Sequence, residues 1–196
     1  MGDSVYRNGG RSCINCTSIY ASRHTKEIAE ALAAKLGPID VLPPDDPESG
    51  RAALTLPGAA PALHKSIEAD AEADGVTDMT AGYGDRLVEN DPVAFLRPVV
   101  LHHASHESET RNKEQMFPMV NVVECPQAKM LSTIGPTLVG TAITDDDDFK
   151  FDLISSIDID RLNLGPIPTP KLDWLQPHEG NLIEFLYRSR ALQLAT

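Results

Sequence analysis

The 196-residue chain is poor in cysteine, with three in all, and lacks long apolar runs. No stretch reaches the roughly 18 consecutive apolar residues expected of a membrane-spanning helix. A small, odd number of cysteines argues against a disulfide-stabilised fold and favours a reducing compartment. The N-terminus is polar and glycine-rich, whereas a secretory signal peptide begins with basic and then apolar residues. We therefore expect a cytoplasmic protein that does not insert into membranes.

Basic residues are also scarce, since 17 Lys and Arg stand against 29 Asp and Glu, giving a formal net charge of −12. Nucleic acids and anionic membranes are bound by clusters of Lys and Arg, which this sequence does not contain. We therefore expect neither as a partner. The length and the 41% hydrophobic content fit a single soluble domain with a substantial core.

Short apolar runs alternate with helical patterns, which predicts an α/β fold with a mostly parallel, doubly wound sheet and flanking helices. Strands are expected at residues 13–21, 39–42, 86–89, 95–102, 119–123, 138–143 and 161–164. Helices are expected at residues 22–36, 59–73, 127–134 and 146–156. The tail 179–195 is compatible with a helix, a strand or both. Four consecutive aspartates at 145–148 indicate a solvated helix N-terminus, because consecutive carboxylates do not converge on a cation.

The most informative stretch is N-G-G-R-S-C, residues 8–13, which places Cys13 directly after a glycine turn. Glycine lets the backbone adopt positive φ or approach a ligand closely. A thiol held there could attack an electrophile while nearby backbone N–H groups face the oxygen that becomes charged. The alternative is a turn followed by an ordinary half-buried cysteine.

Four segments resemble, in order, motifs of the aldehyde dehydrogenase family. The N-x-G-x-x-C pattern of residues 8–13 is similar to the family's F-x-N-x-G-Q-x-C. Residues 83–100 are similar to its G-G-x-x … Y-x-x-P-T-V passage, and E-Q-M-F-P at 114–118 resembles E-E-I-F-G-P. Residues 161–165 and 177–180 are similar to the G-x-V-x-V-N … P-F-G-G ending. Together these cover nearly the whole chain, and they match only the carboxyl-terminal, catalytic half of the family.

The resemblance implies that Cys13 is the catalytic nucleophile. Its thiolate would attack an aldehyde to give a thiohemiacetal, hydride would pass to NAD or NADP, and the resulting thioester would be hydrolysed to a carboxylic acid. The backbone N–H of Cys13 would supply half of the oxyanion hole. Glu114 and Gln115 occupy the paired-glutamate position, whose second member binds the cofactor ribose. Phe117 matches the aromatic residue that packs near the nicotinamide.

The chain departs from the family at two residues and in lacking one half of the family's sequence. Gln115 replaces a glutamate and lacks the charge-assisted hydrogen bond of a carboxylate, while Arg11 replaces a glutamine and adds a cation near the thiol, which would favour the thiolate. The dinucleotide-binding half, with its oxyanion-hole asparagine and its glutamate base, has no counterpart in the sequence. We therefore expect residues 1–196 to be a partial catalytic domain that works with a separate amino-terminal half. The family forms dimers and tetramers, so the resemblance also implies a homo-oligomer.

Other interpretations remain open. The chain could be a non-catalytic or truncated domain that folds and associates without turnover. Cys13 and Cys16 form a C-x-x-C pattern, but an apolar run follows it, whereas redox pairs open a helix. Cys125 with the histidines at 102, 103 and 106 could contribute to a zinc site, yet their spacing is not that of a known finger, so we expect no metal.

Overall fold

A computed structural model of the chain describes residues 1–42, 46, 53–90, 92–173, 175–177, 180, 182–187 and 191–193. The chain divides into two compact units, Met1–Ile134 (unit 1) and Gly135–Thr196 (unit 2). The assignment of residues 1–196 to one catalytic domain stays a prediction.

Unit 1 is built around a four-stranded sheet with the order β1-β6-β5-β2. Strand β6 runs parallel to both β1 and β5, and only β2 is antiparallel, to β5. A separate antiparallel hairpin joins β3 and β4. The strands are β1 Ser18–Ala21, β2 Val76–Asp78, β3 Leu87–Asn90, β4 Val93–Leu96, β5 Val99–His103 and β6 Met119–Glu124. The helices are α1 Gly2–Tyr6, α2 Thr25–Leu36, α3 Ala59–Ala71 and α4 Gln127–Ile134, with 3-10 turns at Arg7–Gly10 and Ala81–Tyr83.

Helices cover both faces of this sheet. Because successive strand residues point to opposite sides, each helix packs against every second residue of a strand. On one face α2 packs against alternate strand residues, and these are Val100, Val120 and Val122. On the other face α3 packs against the intervening positions, which are Val99, Leu101 and Met119. All six strand residues are buried. The predicted α/β fold with a mostly parallel, doubly wound sheet and flanking helices is therefore confirmed.

Unit 2 contains one parallel strand–helix–strand unit. Its elements are β7 Thr137–Ala142, α5 Asp147–Ser155 and β8 Ile159–Leu164, followed by the short helix α6 Leu182–Leu186. Strands β7 and β8 pair directly in parallel. The side chain of Asp146 caps α5 by accepting a 2.9 Å hydrogen bond from the Phe149 N–H. The interpretation of the aspartate run as a helix N-terminus is therefore confirmed.

Three predicted strands differ from the structure. The strand expected at 13–21 begins only at Ser18, because residues 12–15 form a turn held by side-chain bonds. The strand expected at 39–42 does not form. The strand expected at 95–102 is divided at Arg97–Pro98 into β4 and β5, since proline has no N–H with which to continue a ladder. No helix in the described residues is long and apolar enough to cross a membrane.

Candidate active site

Cys13 lies in the turn between the first 3-10 helix and β1, where it is exposed and forms no disulfide. Its neighbour Ile14 is 6% exposed and anchors the turn in the core. Asn15 fastens the turn further, because its Oδ1 accepts from the Ser12 N–H at 2.7 Å. Its Nδ2 donates to the carbonyls of Ser4 and Arg7 at 2.9 and 3.0 Å. The Cys13 thiol thus lies at the surface, on a turn that is held by the buried Ile14 side chain and by the hydrogen bonds of Asn15.

The glycine turn ahead of the thiol makes a close backbone contact. Asn8, Gly9 and Gly10 all adopt left-handed conformations, with φ of 58°, 62° and 70°. A Cβ atom on Gly10 would lie 2.5 Å from the carbonyl carbon of Phe117 and 2.7 Å from the Cα of Pro118. Only glycine permits this approach. The predicted nucleophile segment is therefore packed directly on the predicted cofactor segment.

Arg11 joins the same two segments through its guanidinium. Its Nε donates to the carbonyl of Met116 at 3.1 Å, and its Nη2 donates to the carbonyl of Ala53 at 2.5 Å. The sequence analysis predicted that the Arg11 cation favours the thiolate of Cys13, and that effect stays a prediction. In the structure its guanidinium bonds to two backbone carbonyls, so its observed role is to hold the turn against the 114–118 segment.

Glu114 and Gln115 lie between two anchors. On one side Lys113 forms an ion pair with the buried carboxylate of Asp70 on α3. On the other side Phe117 is 2% exposed and belongs to the core between α3 and the sheet. Glu114 itself is exposed and Gln115 is half-buried. The structure therefore brings Cys13, Glu114 and Gln115 onto connected segments, whereas Phe117 packs as a core residue whose cofactor contact stays a prediction.

Sequence reasoning missed the polar side chains beneath residues 104–118, the crossover that leads from β5 to β6. Ser18 Oγ donates to the Arg111 carbonyl at 3.0 Å, and Tyr20 Oη donates to Asn112 Oδ1. Asn121 and His103, both fully buried, form further bonds to this crossover and to each other. The available signal was a polar residue in the centre of the apolar strand M-V-N-V-V.

Solved structures of aldehyde dehydrogenases share this arrangement of helices and strands. The fold is that of part of an aldehyde dehydrogenase. The chain superposes on 3,6-anhydro-L-galactose dehydrogenase, solved in complex with NAP, with a TM-score of 0.64 and 17% identity over 85% of this chain and 36% of that one. An NAD-dependent benzaldehyde dehydrogenase from Corynebacterium glutamicum gives a TM-score of 0.66 and 15% identity over 85% of this chain and 36% of that one. An aldehyde dehydrogenase from Brucella melitensis biovar abortus 2308 gives 0.65 and 21% identity over 84% and 34%.

The chain thus spans about a third of the length of these aldehyde dehydrogenases. No family model matches the sequence, and no curated protein matches it. The likeness to aldehyde dehydrogenases is therefore one of fold.

The other two cysteines differ from Cys13 in their surroundings. Burial raises the pKa of the Cys16 thiol to about 11, and its S–H donates to the Ser18 carbonyl at 3.5 Å. Cys125 is fully buried. Among the residues that the structure describes, no group of three His, Cys, Asp or Glu side chains could hold a metal ion.

A cleft of about 360 Å³ opens beside the Arg11 contact. It begins at Leu54, the residue after Ala53, and is closed by the N-terminus of α3 and by the β3–β4 hairpin. Its described lining includes Glu89 but not Cys13. The cleft is therefore adjacent to the segment that Arg11 fastens, and it does not contain the thiol.

The last sequence motif that resembles aldehyde dehydrogenases lies in unit 2. Residues 161–165 form the end of β8 and the turn after it. Of the residues 177–180, His178 and Glu179 lie outside the described residues.

Proposed function

We propose that this chain is the cysteine-bearing portion of an NAD(P)-dependent aldehyde dehydrogenase that oxidises an aldehyde to a carboxylic acid through Cys13. The proposal combines the shared fold with the exposed position of the one cysteine that the sequence motif selects. The observation that carries it is the contact of the Cys13 turn with the 114–118 segment. That contact joins two motifs about 100 residues apart, as a shared site requires.

The chemistry assigned to Cys13 is covalent. Its thiolate attacks the carbonyl carbon of the aldehyde, a C–S bond forms, and the carbonyl electron pair moves onto oxygen. The backbone N–H of Cys13 is one donor proposed to stabilise that oxygen. A nicotinamide cofactor held at the Glu114–Gln115 segment would supply the hydride acceptor, and loss of hydride would convert the thiohemiacetal into a thioester. Hydrolysis of the thioester then releases the acid and restores the thiol.

Glu114 and Gln115 fit part of a nicotinamide cofactor. A ribose hydroxyl both donates and accepts hydrogen bonds. The Gln115 amide can accept through its carbonyl and donate through its NH₂, and the Glu114 carboxylate can accept. Both side chains stand on a segment whose ends are fixed by Lys113 and by the buried Phe117 ring. The nearest cation on that segment, Lys113, is already paired with Asp70. The segment therefore suits a ribose, and the cofactor phosphates need donors from elsewhere.

Those donors are proposed to come from a separate amino-terminal half, because the chain spans only about a third of the enzymes it resembles in fold. Met116, within the segment, has 62% of its surface exposed. A partner that covers Met116 would also approach Glu114 and Gln115. An aldehyde of the small-molecule class is the proposed substrate, and a homo-oligomer is the assembly expected by analogy.

The test is turnover. The chain is mixed with a panel of aldehydes and NAD or NADP, with and without a candidate amino-terminal half, and nicotinamide reduction is followed by absorbance. We expect reduction with the partner, its loss in Cys13→Ala, and its retention in Cys16→Ala. Equal loss in both variants would overturn the assignment of Cys13. No reduction in any mixture would favour a non-catalytic domain.

A further inference from the structure

Asn121 lies at the centre of β6, is fully buried, and connects two segments of the candidate site. Its Nδ2 donates to the carbonyl of Thr17 at 3.3 Å and to the carbonyl of Lys113 at 3.0 Å. Thr17 follows Cys13 by four residues, and Lys113 directly precedes Glu114. The backbone N–H of Asn121 also donates to the Thr17 carbonyl, at 2.9 Å. The side-chain amide adds a second bond there and connects Thr17 to the segment that carries the proposed ribose ligands.

The two carbonyls fix the orientation of this amide, and His103 supports it. Because both hydrogens of Nδ2 are donated to carbonyls, the amide oxygen is left as an acceptor. It lies 2.9 Å from His103 Nε2, so that nitrogen must carry the hydrogen. The Nδ1 atom of the neutral ring then accepts from the hydroxyl of Ser108 at 2.9 Å. A flipped Asn121 amide would set its oxygen against two carbonyl oxygens and its NH₂ against the Nε2–H.

The charges around His103 agree with a neutral ring. Asp70 on α3, Arg111 on the crossover and His102 on the same strand are the charged or titratable groups that act on it. Burial is the largest effect and lowers the pKa of His103, while the bond to Asn121 opposes it. The ring is therefore a fixed donor to Asn121 at neutral pH.

We infer that Asn121, supported by His103, is a positioning residue that sets the Cys13 turn against the Glu114–Gln115 segment. This inference rests on the proposed function. Asn121 is buried behind both segments and would touch neither aldehyde nor cofactor. Its effect on the thiol is transmitted through the Thr17 backbone, and its effect on the ribose ligands through the Lys113 backbone.

Asn121→Asp tests the inference, because a carboxylate cannot donate to the two carbonyls. Two readouts are taken: amide hydrogen exchange of residues 13–17 and 111–115, and the rate of Cys13 alkylation by iodoacetamide across pH. We expect both segments to lose protection together while β5 and β6 keep theirs. We expect the alkylation rate of Cys13 to fall, because the turn would no longer hold the thiol beside the backbone N–H proposed to favour its charged form.

Two comparisons separate positioning from stability. Val122→Ala removes a fully buried side chain from the next position of β6, on the opposite face, and should lower stability without changing Cys13 alkylation. His103→Gln keeps an N–H donor for the Asn121 oxygen and should retain most of the alkylation rate, whereas His103→Leu should not. Equal effects of Val122→Ala and Asn121→Asp would overturn the inference.

The outcome is distinguishable from failure of the proposed function. If Cys13 of the unaltered chain reacts no faster than a model thiol, the proposed nucleophile fails, and the exchange data alone decide whether Asn121 joins the segments. Unchanged protection of either segment in Asn121→Asp overturns the inference whatever Cys13 does. Nitrogen NMR of the His103 ring should show a hydrogen on Nε2, and a hydrogen on Nδ1 with Nε2 bare would contradict the assigned orientation.

Discussion

Gly10 and Pro118 are in backbone contact, and a methyl group on Gly10 would lie 2.7 Å from the Cα of Pro118. The two residues are far apart in the sequence, yet this contact sets the separation between the thiol turn and the proposed cofactor segment. Arg11 reinforces it with a hydrogen bond from the next residue to the Met116 carbonyl. The candidate site is therefore held together by one close backbone contact and by side-chain hydrogen bonds to backbone carbonyls.

The first prediction concerns Gly10→Ala. The new methyl group must displace the Phe117–Pro118 backbone, and alanine also disfavours a φ of 70°. We expect a loss of about 2 to 4 kcal/mol in the free energy of unfolding, measured by chemical denaturation, together with slower Cys13 alkylation.

Gly58→Ala is the matched control, because Gly58 has a φ of 77° but nothing within 4 Å of its added Cβ. Gly58→Ala should lower the free energy of unfolding by about 1 kcal/mol, the cost of placing alanine in a left-handed backbone conformation. A loss in Gly58→Ala as large as that in Gly10→Ala would show that the close approach to Pro118 is unimportant.

The second prediction concerns Arg11→Met, which keeps a long side chain but removes the bonds to Met116 and Ala53. Because Arg11 is exposed, we expect a loss of stability of about 1 kcal/mol or less. Faster amide exchange over residues 113–118 should accompany it. Arg23→Met removes another exposed arginine and should leave that segment unchanged; equal acceleration in both variants would argue against a fastening role for Arg11.

The third prediction is an alkaline loss of stability from Cys16. Burial raises the pKa of this thiol from an ordinary value of 9.0 to about 11. Below pH 9 the thiol is protonated in both the folded and the unfolded chain, and its contribution to the free energy of unfolding is complete. Between pH 9 and 11 only the unfolded chain releases the proton, so that contribution is lost. The loss amounts to at most about 2 to 3 kcal/mol.

The measurement is the pH dependence of the free energy of unfolding in the unaltered chain and in Cys16→Ala. The difference between the two should shrink as pH rises from 9 to 11, because the variant has no thiol to ionise. A difference that stays constant over this range would contradict the inferred burial of Cys16.

The fourth prediction concerns the cap of α5. Asp146→Ala removes the acceptor of the Phe149 N–H and should cost about 1 kcal/mol of unit 2 stability. Asp145→Ala, one residue outside the cap, should cost much less. Thermal unfolding followed by the helical circular dichroism signal would compare them, and equal costs would assign the effect to the charge of the aspartate run.

The sequence pattern located the thiol, the main strands and the helices on both faces, because these depend on glycine placement and on local hydrophobic periodicity. The sequence pattern predicted that β1 begins at Cys13. An apolar run does not reveal that the Asn15 side chain forms hydrogen bonds that stabilise a turn there. It could not show that Arg11 reaches the Ala53 carbonyl, because that contact is tertiary. Phe117 is the clearest case: a core aromatic and a cofactor-packing aromatic look alike in a sequence, and only burial shows which environment the ring occupies.

The most direct test of the whole account is the alkylation rate of Cys13 by iodoacetamide at neutral pH, mapped by mass spectrometry against Cys16 and Cys125 and compared with a model thiol peptide. We expect Cys13 to react faster than the peptide, the other two thiols to be protected, and added aldehyde to slow the reaction of Cys13. A Cys13 rate equal to or below that of the peptide, unaffected by aldehyde, would contradict it.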